Sequence, residues 1–67
     1  MIEITINERP RSVVRGITLA QLLVELEIQS PAIAVEINQQ LRTRDQFDNT
    51  TLEAGDVVEI VTLVGGG

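Results

Sequence analysis

The first seven residues alternate, with Ile2, Ile4 and Ile6 on one side and Glu3, Thr5 and Asn7 on the other. This is the period of a strand with one buried face. Asn7-Glu8-Arg9-Pro10 supplies turn formers, and Ser12 to Val14 return to β-branched character before Gly16. A hairpin follows, with Pro10 at the turn or at a sheet edge, where its missing N–H costs least. The pattern then changes period. Thr18 stands three residues before Gln21, the spacing of a capping box, and Leu19, Leu22, Leu23 and Leu26 recur at helical spacing, which predicts an amphipathic helix from Thr18 to Ile28. Ser30-Pro31 ends that region, and alternation resumes from Ala32 to Asn38 with Ile33, Val35 and Ile37 inward. Asn38-Gln39-Gln40 reads as a polar turn, Leu41 as a brief pairing residue, and Arg44 to Asp48 as a turn or short helical piece. Thr51-Leu52 reads as a short strand, Glu53 to Asp56 as a tight turn, and Val57 to Leu63 as the last and most apolar strand. The order predicts an α+β fold: a mixed four- to five-stranded sheet with one α-helix across one face, spanning residues 1–63, followed by a flexible tail at 64–67.

The last strand has an unusual outer face. Glu59 is costly to bury unpaired and is expected in solvent, and the two-residue period then puts Val57, Val61 and Leu63 beside it, with Val58, Ile60 and Thr62 inward. Three aliphatic side chains on the exposed side of a strand that leads into the tail form a candidate docking surface for a partner.

Composition removes most other functions. Ten acidic and five basic residues give a net charge of -5, and there is one Phe with no Tyr or Trp. Such a surface repels phosphate backbones and offers no platform for base stacking, so nucleic acid is not an expected partner. The chain has no Cys and no His, and all five basic residues are Arg. Disulfides, thiolate metal sites, a histidine base and lysine Schiff-base chemistry are therefore absent. Asp45, Asp48, Glu53, Asp56 and Glu59 do not follow the spacing of a calcium loop; each reads as a solvated residue, and a face that steers a basic partner is the alternative. No apolar run approaches the length of a membrane span, and a cytoplasmic protein, monomeric when free, is expected.

The tail Gly65-Gly66-Gly67 has no Cβ at three successive positions, so it can extend, take any φ and enter a channel too narrow for side chains. By itself this also fits a frayed terminus. A terminal carboxylate becomes reactive only after activation, and the chain has no glycine-rich loop with a lysine to bind ATP. A separate enzyme has to supply that step.

Several segments together resemble the sulfur carriers of thiamine biosynthesis, the ThiS family of ubiquitin-like β-grasp proteins. They are Ile2 to Asn7, Thr18 to Leu26, Ala34-Val35-Glu36-Ile37-Asn38-Gln39-Gln40, Gly55-Asp56-Val57-Val58-Glu59-Ile60 and Val64-Gly65-Gly66-Gly67. The resemblance implies that Gly67 is adenylated by an E1-like enzyme using ATP and magnesium, and is converted to a thiocarboxylate with sulfur from a donor protein. The sulfur then passes to thiazole synthase. Gly65 and Gly66 would give the tail access to both active sites, and Val57, Val61, Leu63, Val64 and Phe47 would contact partners. The chain itself would bind no cofactor and would be a carrier, not an enzyme. Thr43-Arg44 stands where many members have a proline before the arginine, and Phe47 where the aromatic is often Trp. Related carriers in molybdopterin synthase or tRNA thiolation, a ubiquitin-like protein modifier, and a plain binding module remain open alternatives at this point.

Overall fold

A computed structural model describes residues 1–63. It contains β1 (Ile2–Ile6), β2 (Arg9–Val13), α1 (Leu19–Glu25), β3 (Ile33–Ile37), β4 (Gln40–Arg42), a 3-10 helix (Arg44–Asn49) and β5 (Val57–Thr62). The strands form one sheet in the order β2-β1-β5-β3-β4. β5 pairs parallel to β1 and antiparallel to β3, while the two hairpins β1-β2 and β3-β4 flank it. This is the mixed sheet with one helix that the alternation and the single helical period imply.

The helix begins as the sequence indicates. Thr18 takes an extended conformation, its hydroxyl accepts from the Gln21 backbone N–H, and the Gln21 side chain accepts from the Thr18 N–H. Two otherwise orphaned donors are thus satisfied. The helix ends three residues before the expected Ile28. Glu27 sits at φ 60°, its N–H bonds to Val24 O and the Ile28 N–H bonds to Leu23 O, the Schellman arrangement. A glycine would have signalled this stop; a glutamate conceals it.

The core lies between α1 and the inner sheet face. Ile2, Ile4, Val13, Leu19, Leu22, Val35, Ile37, Val58 and Ile60 are all buried, with Leu52 and Phe47 closing the end near the 3-10 helix. Two expectations about the inner face need correction. Thr51-Leu52 is not a sheet strand: Thr51 makes one isolated bridge to Thr18, and the Leu52 N–H bonds to Ile17 O, so the segment props the helix entry. Thr62 has inward parity, opposite the partly buried Ile33, yet is exposed. Seven helical residues span about 10 Å, too short to cover the roughly 20 Å of a six-residue strand.

Both hairpins turn through two residues at positive φ, Asn7 (49°) with Glu8 (71°) and Asn38 (53°) with Gln39 (68°). These are type I′ turns, where the second position favours glycine. A left-handed L-residue costs about 1–2 kcal/mol, against about 0.5–1 kcal/mol for the added chain entropy of glycine. Glu8→Gly, Gln39→Gly and Glu27→Gly are each expected to raise stability by roughly 0.5–1 kcal/mol. Urea denaturation reads this directly, and a lowered midpoint contradicts it.

Candidate functional site

The candidate tail follows β5 in sequence, so the site starts with what holds β5. Thr5 and Ile6 of β1 pair with Val57 and Val58, and Ile33 to Ile37 of β3 pair with Thr62 back to Val58. Two asparagines reinforce this from opposite sides. Asn7 Oδ1 accepts from the Ile60 N–H at 2.8 Å and its Nδ2 donates to Ile60 O at 3.1 Å. The side-chain amide thereby extends the parallel ladder one residue beyond β1. Asn38 Oδ1 accepts from the Val57 N–H at 3.0 Å and its Nδ2 donates to Asp56 Oδ1 at 3.1 Å. Asp56 Oδ2 in turn accepts from the Glu53 N–H at 2.9 Å, closing the turn that starts β5. Asparagine tolerates the left-handed region that each turn requires, so one residue serves both turn and clamp. Beyond Thr62, the Leu63 N–H still bonds to Ala32 O at 2.7 Å, so the chain remains tied to the sheet up to the last described residue.

The structure separates the expected contact residues into two places. Val57, Val61 and Leu63 are 48%, 55% and 54% exposed, and the strand register puts Val57 and Val61 on the sheet face that lacks the helix. Phe47 is a correction. It is buried in the core on the helix side, next to α1, with the Arg44 guanidinium 5.9 Å from its ring centroid. The chain has one aromatic residue, and the space between helix and 3-10 turn takes it. Val64, Gly65, Gly66 and Gly67 lie outside the described residues.

Register also brings together residues that the linear pattern leaves apart. Leu41 lies opposite Glu36, and Glu36 lies opposite Glu59, so these three form one row across the outer face. Ala34 lies opposite Val61, and Thr5 opposite Val57. The acidic row is therefore bordered by aliphatic positions, and Leu41 joins them as an exposed side chain. The sequence marks Leu41 as a pairing residue, but a three-residue strand is too short to show a period and so to say which face Leu41 takes. Among the described residues, no cluster of acidic side chains comes together as a metal site, and no helix is long and apolar enough to cross a membrane.

Comparison with known proteins agrees with this architecture. The model of the ThiS family matches residues 4–67. The chain is 34% identical over 62 residues to the sulfur carrier protein ThiS of Thermus thermophilus, covering 92% of this chain and 95% of that one. It is also 32% identical over 65 residues to a thiazole synthase of Paramagnetospirillum magneticum, covering 97% of this chain but 20% of the synthase. The crystal structure of a thiamine biosynthesis protein, ThiS, from Geobacter metallireducens superposes with a TM-score of 0.86 at 33% identity, covering 98% of this chain and all of the other. With its fold, its length and nearly all of its residues matched in this way, the chain belongs to the ThiS family, the sulfur carriers of thiamine biosynthesis.

Proposed function

We propose that this protein carries sulfur as a thiocarboxylate on Gly67 and delivers it to thiazole synthase. The observation that carries the reading is the family match itself, which runs through residue 67 and so includes all three tail glycines. The chemistry needs two outside enzymes. In the first, the Gly67 carboxylate attacks the α-phosphorus of ATP and releases pyrophosphate, leaving an acyl adenylate. The E1-like enzyme supplies the ATP and magnesium sites, since this chain has no lysine-bearing phosphate loop. Hydrosulfide supplied by a donor protein then attacks the acyl carbon, the bond from that carbon to the AMP oxygen breaks, and the thiocarboxylate and AMP are released. The carrier's own part is to dock and to present an unhindered carbonyl carbon. Val57, Val61 and Leu63 supply the docking face, and Val64 lies between that face and the glycines.

Thiazole synthase is the proposed acceptor because a relative of that name contains a segment similar to nearly the whole of this chain. A carrier domain built into a synthase is explained if the two must meet during turnover, since linkage raises their effective concentration.

Intact mass after incubation with the E1-like enzyme, ATP, magnesium and a sulfur donor is expected to rise by the difference between one sulfur and one oxygen. Deletion of Gly67 is expected to abolish that gain. Gly66→Val adds a β-branched side chain inside a narrow channel, and transfer is expected to slow by roughly 10²-fold while the thermal melt stays unchanged. No mass gain with competent enzymes sinks the carrier reading, and covalent adducts on lysines of other proteins point instead to a protein modifier.

A further inference from the structure

The six charged residues in the strands are sorted by face. Arg11 lies opposite Ile4 and Arg9 opposite Ile6, and Arg42 lies opposite Val35, so all three arginines share the helix side with core positions. The Arg11–Glu25 ion pair at 3.1 Å, to a residue of α1, fits that placement. Glu3, Glu36 and Glu59 have the opposite parity and lie on the outer face, all exposed. Glu36 and Glu59 are direct cross-strand neighbours, which places their Cβ atoms about 5 Å apart. Neither carboxylate has an ion-pair or hydrogen-bond partner among the described residues. Like charges directly opposite one another destabilise a sheet, and nothing in the fold offsets this pair.

We propose that the Glu36–Glu59 pair is the receptor for an arginine that thiazole synthase projects from an otherwise apolar surface. This rests on the carrier reading above and adds the determinant by which the partner is selected. Three observations specify the chemistry. Two neighbouring carboxylates present acceptors to the several N–H donors of one planar guanidinium, whereas an ammonium is a point charge. The pair is flanked along β5 by Val57 and Val61, each about two residues or roughly 7 Å away, and across β3 by Leu41. Those side chains suit the methylene stem and the apolar ground from which the arginine rises. The face also carries no cation among its strand positions, so a basic partner meets uncompensated negative charge and an acidic one is repelled.

The test is titration of the intact carrier with thiazole synthase at low and high salt. E36Q/E59Q is expected to weaken binding about tenfold at low salt and to flatten the salt dependence. E8Q/E27Q removes the same number of charges from exposed turn positions outside the strands and is expected to bind like the wild type. Thermal melts of E36Q/E59Q are expected to match or exceed the wild type, because a repulsion has been removed, so weaker binding is not unfolding. Equal loss in both double variants assigns the effect to net charge and overturns the proposal, as does unchanged binding of E36Q/E59Q. Failure of the wild type to bind the synthase overturns the partner assignment and the proposal with it. A mass gain on Gly67 in that same preparation would show that the carrier chemistry stands separately.

Discussion

The structure depends on β5 occupying the middle of the sheet. It is the last strand in sequence, yet it pairs with β1 on one side and β3 on the other, so the two hairpins are joined only through it. Val58 and Ile60 then anchor the sheet against the helix. Asn7 and Asn38 fasten it with side-chain hydrogen bonds at Ile60 and Val57. The strand is thus held on both sides, and on the β3 side up to the last described residue, where the Leu63 N–H bonds to Ala32 O.

The two faces of the sheet use their residues for different ends. The helix side spends its aliphatic residues and its single aromatic on the core, and places strand arginines at the margin where Arg11 reaches Glu25. The outer side keeps Val57, Val61, Leu63 and Leu41 in solvent around two adjacent carboxylates. For a domain of this size the net stability is only about 3–10 kcal/mol, so an uncompensated repulsion and exposed aliphatics are appreciable costs. The proposed docking role of this face gives a reason for both.

Much of the architecture was legible because the periods are clean. The alternation of Ile2, Ile4 and Ile6, the leucines of α1 with Thr18 and Gln21, and the alternation at Ile33, Val35 and Ile37 each allow one local structure. The misreadings have local causes. Glu27 adopts a left-handed conformation without being glycine, so the helix end was hidden. Thr51-Leu52 has strand composition but finds its partners at the helix entry. Thr62 follows the inward parity past the reach of the helix. Phe47 was expected at a partner surface through resemblance, but a fold with one aromatic residue buries it where the largest apolar gap lies.

The sequence by itself determined the elements, the two-sided character of β5, the absence of lysine, histidine and cysteine chemistry, and the glycine tail, because each depends on residue identity and spacing along the chain. Only the tertiary structure decided that β5 is central, that asparagines of two different turns fasten it, and that Glu36, Glu59 and Leu41 share one row. Those facts arise from register between strands far apart in sequence, and periodicity within a strand places a residue on a face without saying what stands beside it.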